Sequence, residues 1–304
     1  MLTTSPAPRS PHESAPHETA PCNAPSLHDD QLHLLGASIR VDGRLSWYPP
    51  QDTGRFVPFN AYLLKDGEDV LMVESGVPAT FEILLAQLSS LTHGAPCVRD
   101  LAVTRNEPDC VANVPLLVRH AGLQTVNSPG LMNTLQFFPA DDVDVRERSF
   151  THRSTELQML NFGVRCAPAA PGGDVPISDH RSLRVLGVPL RVLPTVWFYD
   201  AAIRTMFCSD TFSDETALSP DERILTEVDT DDVLTARFKR SFRLKFDWLE
   251  RSDLVSIIED LERIFDRFEI ETLAPSRGLV IHGKNAVAAK IRALMTTLHE
   301  LHAA

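Results

Sequence analysis

The chain has 304 residues, 43% hydrophobic and 23% charged, with a formal net charge of −12. That length gives one large domain or two modest ones, with room for a sizeable core. The negative balance offers no basic face to phosphate, which argues against nucleic acid, and no apolar run approaches the roughly 18 residues that span a bilayer, which argues against a membrane protein.

Residues 1–27 are rich in Pro, Ala, Ser and Thr and poor in large apolar side chains. They bury too little surface to offset ordering entropy, so a disordered tail is expected, with one domain over 28–304. The tail lacks the apolar core of a secretory signal, and His12 and His17 in it read as solvated residues. Cys22, Cys97, Cys110, Cys166 and Cys208 follow no spacing pattern. An odd, scattered set in a chain of this length reads as reduced thiols and a cytoplasmic protein.

The globular text then runs in order. "FNAYLLKDGEDVLMVESG" (59–76) predicts two strands around the turn Asp66-Gly67. A helix follows, with Phe81, Leu84, Leu85 and Leu88 at helical spacing. "DLAVTR" (100–105) predicts a buried strand, and "NVPLLVRHAG" a short helix stopped by Gly122. Residues 126–180, interrupted by Pro129, Pro139, Pro168, Pro171 and Gly172-Gly173, are expected to be loops and short elements that cover a cleft. "SLRVLGVPLRVLPT" (182–195) alternates as two paired strands about Gly187, and "IRTMFCSD" (203–210) is one more strand. A helical block spans 231–250, where Phe238, Phe242, Phe246 and Trp248 mark a core stripe or a dimer face. In the next helix Ser252 is the expected N-cap, and Leu254, Ile257, Ile258, Leu261, Ile264, Phe265 and Phe268 form one apolar stripe. "ETLAPSRG" gives a strand and loop, and a last helix carries Val287, Ile291, Leu294, Met295 and Leu298. Strands alternate with helices, so the class is α/β.

In such folds ligands gather at the carboxyl ends of strands. Four ends here are polar or bent: Glu74-Ser75-Gly76, Arg105 to Cys110, Asp210, and Ser276-Arg277-Gly278. In their order, "PFNAYLLKDGEDVLMVESGVP", "LAVTRNEPDCVANVPLL", "YDAAIRTMFCSDTFSD" and "LAPSRGLVIHG" resemble the metallo-β-lactamase fold, and within it the oxygen-binding diiron and flavodiiron branch. The resemblance covers roughly residues 30–300 and implies a four-layer αβ/βα sandwich.

Its metal ligands match poorly. Where that branch has His-x-Glu-x-Asp-His, this chain has Arg105-x-Glu107-x-Asp109-Cys110. The bridging aspartate matches Asp210, the final Pro-Ser-His-Gly loop reads Pro275-Ser276-Arg277-Gly278, and the aspartate at the hairpin end is Glu74. No histidine lies between His180 and Asp210. Arginine stays protonated and cannot ligate a metal, whereas planar guanidinium groups suit carboxylates. Arg105 and Arg277 are therefore expected to replace metal ions as counter-charges for Glu107, Asp109 and Asp210, with no metal and no cofactor. Because the sequence ends at Ala304 with no flavodoxin-like segment, no flavin is expected. Cys110 beside arginines is either a low-pKa nucleophile or an inert buried thiol, and Cys208 is expected on the same strand face as Asp210. The resemblance implies a homodimer. The leading expectation is a sensing, binding or accessory protein holding a small polar or anionic ligand. The alternative is a metal-dependent hydrolase or oxygen-reactive oxidoreductase. It would hold iron or manganese on Glu107, Asp109 and Asp210, with His180 or His282.

Overall fold

The computed structural model describes residues 24–45, 47–92, 94–130, 159–161, 164–191 and 193–303, with backbone alone for 159–161. Most of the expected tail, with His12, His17 and Cys22, and the central part of the expected cleft cover lie outside those residues.

The first sheet contains β1 (Ser26–Leu27), β2 (Leu32–Leu35), β5 (Ala61–Asp66), β6 (Asp69–Val73), β7 (Asp100–Ala102), β8 (Thr125–Ser128), β9 (Met159–Asn161) and β10 (Val164–Pro168). Its order is β1-β2-β5-β6-β7-β8-β10-β9. The second sheet contains β11 (Asp174–Pro176), β12 (Ser182–Gly187), β13 (Val196–Asp200), β14 (Thr205–Phe207), β15 (Ile224–Leu225), β16 (Thr272–Ala274) and β17 (Val280–His282). Its order is β11-β12-β13-β14-β16-β17-β15. A two-stranded ribbon, β3 (Ser38–Arg40) with β4 (Phe56–Pro58), sits beside them. The helices are α1 (Phe81–Leu91), α2 (Pro108–Val111), α3 (Val114–Ala121), α4 (Asp231–Lys245), α5 (Val255–Arg267) and α6 (Lys284–His302).

The layering follows from which side chains each strand points where. Along β5, Ala61 and Leu63 join the core with Phe81, Leu84, Leu88, Val114 and Leu117 of α1 and α3. The alternate residues Tyr62 and Leu64 meet Val185, Phe198, Phe207 and Val280 of the second sheet. A strand buried on both faces reads as a near-continuous apolar run, which is how this one reads. On the far side Trp197, Met206 and Leu273 pack under Phe238, Phe242, Leu261, Val287, Leu294 and Leu298 of α4, α5 and α6. The result is helix, sheet, sheet, helix: the four-layer αβ/βα sandwich of α/β class.

The hairpin at Asp66-Gly67 forms with Gly67 in the left-handed region, and Gly122 caps α3 in the same conformation. Some other expectations are corrected. Ser26 and Leu27, placed in the tail, pair with β2. Within 126–180 the described residues include short elements as expected: β10 adds in parallel beside β8, and β11 pairs with β12. The segment 182–195 holds one strand, not two, because β12 ends at Gly187 and pairs instead with β13. The N-cap of α5 is Leu254, and the Ser252 hydroxyl bonds back to the Trp248 carbonyl. Of the two readings of the 231–250 stripe the core one holds, since Phe238, Phe242 and Phe246 are buried in the core.

Candidate functional site

Four chain reversals at the carboxyl ends of β6, β7, β14 and β16 meet at one end of the sandwich. Parallel pairing of β6 with β7 and of β14 with β16 brings the ends together within each sheet. Glu74 leaves β6 with φ 60°. Thr104 and Arg105 leave β7, and the backbone of Arg105 bridges to Thr195, the residue before β13 of the second sheet. Ser209, at φ 55°, turns the chain after β14, and its carbonyl accepts a hydrogen bond from Ser276 N at 2.7 Å.

The loop after β16 is held from below. Asn60 Nδ2 donates to the carbonyls of Pro275 (2.9 Å) and Gly278 (2.8 Å), and Tyr62 Oη donates to Pro275 O at 2.6 Å. Arg223, buried and without a carboxylate partner among the described residues, braces Asn60 by donating to its Oδ1 and to the carbonyls of Leu35 and Gly36. Burial among these neutral acceptors lowers its pKa to about 10.

Arg105 is the centre of the site. Its Nη1 stands 2.5 Å from Asp210 Oδ1 and its Nη2 stands 2.5 Å from Asp109 Oδ2. Nη1 also donates to Ser209 Oγ at 3.1 Å. Nε lies 3.0 Å from Glu107 Oε2, an ionic contact without hydrogen-bond alignment. Arg277 approaches from the other side, with Nη2 donating to Asp210 Oδ2 at 3.3 Å and Nη1 at 3.8 Å from Asp109 Oδ2. Ser276 Oγ donates to the same Asp109 oxygen at 3.2 Å. The two arginines are 2% and 1% exposed, so these are desolvated ion pairs.

The charges respond accordingly. Burial pushes the Asp109 carboxyl up, but Arg105 and Arg277 overcome it and hold the pKa at about 2. Burial acts likewise on Asp210, and the same two guanidinium groups leave it below the usual carboxylate range. Burial pulls Arg105 down, and Asp210 and Asp109 more than restore it, to well above its ordinary value. For Glu107, burial outweighs the attraction of Arg105 and its pKa rises. Glu74 lies one layer deeper, receiving hydrogen bonds from Thr104 N and Oγ1. Burial raises its pKa to about 7, against the hydrogen bonds of Thr104 and Cys110.

Glu74, Arg105, Glu107, Asp109, Asp210 and Arg277 thus lie together at this end of the sandwich. Four other residues differ. Cys110 abuts the cluster, with Sγ 3.8 Å from Asp109 Oδ1, but belongs to the core under α1 and α3. Burial, then Asp109 and Glu74, drive its pKa well up, so it is an inert thiol. Cys208 does not share a face with Asp210. The left-handed Ser209 between them breaks strand alternation, and Cys208 points into the core beneath α4. His180 is exposed on the turn where Ser178 Oγ bonds its backbone N–H. His282 sits at the opposite end of β16, its Nδ1 2.9 Å from Thr272 Oγ1. Neither histidine reaches the carboxylates.

Several neighbours escaped the sequence reading. Trp47 lays its ring 4.1 Å from the Arg277 guanidinium carbon, and Tyr48 Oη donates to Ser213 O at 3.3 Å. Lys245 Nζ donates to Ser213 Oγ at 2.5 Å, and burial, then Arg277, lowers its pKa to about 7. The signal for Trp47 and Tyr48 was "SWYPP", a proline-punctuated aromatic loop. Nothing singled out Lys245 at the end of a basic helix.

No protein-family model and no curated protein matches the chain. Solved structures do. Rubredoxin oxygen:oxidoreductase from Desulfovibrio gigas is similar with TM-score 0.66 and 13% identity, over 91% of this chain and 61% of that one. A flavoprotein from Thermotoga maritima gives 0.64 and 14%, over 90% and 60%. A metal-soaked flavodiiron core from Synechocystis sp. gives 0.64 and 11%, over 89% and 59%. The fold is that of the flavodiiron proteins, with their metallo-β-lactamase-like core, and the chain spans about three-fifths of the length of these structures.

This corrects the expectation of no cofactor and no flavin. Several of the proteins that share the fold are named as flavodiiron proteins, so iron and flavin are the cofactors that the likeness indicates for that group. The cluster itself does not fit a dinuclear iron centre. Its carboxylates are engaged by guanidinium groups. Among the described residues no histidine lies in it, and no group of three or more His, Cys, Asp or Glu could hold a metal ion. Nor is any described helix long and apolar enough to cross a membrane.

Proposed function

We propose that this protein is a binding or sensing subunit of flavodiiron-like fold, in which Arg105 and Arg277, with Glu107, Asp109 and Asp210, stand in place of a dinuclear metal centre. The observation that carries the proposal is the position of Arg105. One guanidinium bridges Asp109 and Asp210 at 2.5 Å each, where a cation would otherwise balance two buried carboxylates. A charge-paired cluster of this kind orients polar groups for a small polar or anionic ligand without supplying a Lewis acid.

The test is a crystal of the full chain soaked in iron(II) and examined by anomalous scattering. Arg105 is expected to stay between Asp109 and Asp210. Two metal ions between those aspartates, with Arg105 displaced, would overturn the proposal and favour the metal-dependent enzyme. Cys97, Cys110 and Cys208, free thiols among the described residues, support a reducing, cytoplasmic setting. The family resemblance adds a homodimer, which sedimentation equilibrium of the full chain reads directly.

A further inference from the structure

The acids of the cluster are shared unevenly. Arg105 takes Glu107, Asp109 and Asp210 at 3.0 Å or less, and its Nη1 also meets Ser209. Among the described residues Arg277 makes one hydrogen bond, to Asp210 at 3.3 Å, and its Nε and Nη1 find no hydrogen-bond partner although the residue is 1% exposed. Buried donors left unmade cost free energy, and charged donors most of all. Beside it Lys245, half-buried, touches only the hydroxyl and carbonyl of Ser213 and, at 5.9 Å, the ring of Tyr48. Among the described residues it has no carboxylate within ion-pair distance. Arg277 therefore pairs with Asp109 and Asp210 yet keeps two donors unmade, and Lys245, near enough to be repelled by it, has no acid of its own among the described residues. The cover over them is slight: Trp47, on the guanidinium, is itself 39% exposed.

We infer that Arg277 and Lys245 bind one small carboxylate-type oxyanion beneath Trp47 and Tyr48. The inference rests on the reading of the site as an arginine–carboxylate cluster, and it names the ligand and the two groups that take it. The oxyanion accepts from Arg277 and from the Lys245 ammonium, and it relieves the repulsion between them. That repulsion follows burial among the causes that depress Lys245, while Asp210 and Asp214 act in the opposite sense and Arg105 in the same sense. An anion that favours the charged amine binds with proton uptake, so its affinity falls as pH rises above 7. Entry displaces Trp47, which turns the indole into a reporter.

The experiment titrates sodium acetate into the full chain at pH 6.5, with sodium chloride at matched ionic strength as control, reading tryptophan fluorescence and heat. A saturable response is expected. It should weaken at least five-fold in R277Q and in K245Q and roughly ten-fold on moving to pH 8.5. In W47F the optical signal is lost while the heat remains. If R277Q does not fold, R277K decides: it keeps the charge but not the planar donors, and saturation lost in it supports the site, whereas saturation retained overturns it. No saturable response in the wild type, or an equal one in R277Q and K245Q, overturns this inference and leaves the Arg105 bridge standing. Two iron atoms at the aspartates sink the function reading whether or not acetate binds.

Discussion

Glu74 shows how far one buried side chain is bent from its solution behaviour. It is 1% exposed, sits in the left-handed region, and has a pKa near 7 against an ordinary 4.5. The folded state holds this proton more tightly than the unfolded chain does. Its effect on stability is therefore a loss that develops as pH rises from about 4.5 to 7 and is constant above, worth about 3 kcal/mol. Glu74→Gln should remove that decline, so denaturant unfolding at pH 8 finds the variant more stable than wild type; a parallel decline in both would contradict the assignment. Asp109 acts with the opposite sign. Its contribution, about 2 kcal/mol, is present above pH 4 and is lost as pH falls towards 2. The thiols give a second check at this scale. Cys97 is exposed, while Cys110 and Cys208 are buried with raised pKa values. Brief iodoacetamide treatment of native protein should label Cys97 and spare the other two until unfolding; rapid labelling of Cys110 would restore the nucleophile reading. The identities of the cluster residues were legible because strand ends carry polar text. Cys208 was misplaced because period-two counting assumes an extended chain, and no residue type announces the turn at Ser209.

At the scale of elements, the site depends on loops more than on the strands that launch them. Gly278 has φ 85°, and a Cβ there would stand 2.9 Å from Glu215 O and 3.2 Å from Ser213 Cα, so both conformation and space require glycine. Gly278→Ala should cost at least about 1–3 kcal/mol and should loosen Arg277 from Asp210, read as a rise of the Asp210 pKa by NMR. An unchanged stability and pKa would mean that this loop does not position the arginine. Hairpin, helices and apolar stripes were visible in the sequence because they repeat at short period. The number of strands in 182–195 was not, since alternation alone does not say that Gly187 ends pairing. Lys245 was not legible either: a lysine closing a basic helix reads as solvated, and only the fold brings it against Tyr48 and Ser213.

Across the whole molecule, Arg105 comes from the first sheet and Asp210 and Arg277 from the second. The cluster thus ties the two sheets at one end of their shared apolar core. At the opposite end Arg181 grips Asp200 through Nε and Nη2, and His28 Nε2 reaches Thr272 Oγ1 at 2.9 Å. The sandwich could be anticipated from motif order alone; which polar residues staple it could not, because that depends on how two sheets face each other. The central claim is that Arg105 is the counter-charge of Asp210 across that joint, and a double-mutant cycle with Arg105→Met and Asp210→Asn, read by denaturant unfolding, tests it most directly. Each single change should cost about 3–5 kcal/mol, and the double change should cost about 2–3 kcal/mol less than their sum. Strict additivity would contradict it.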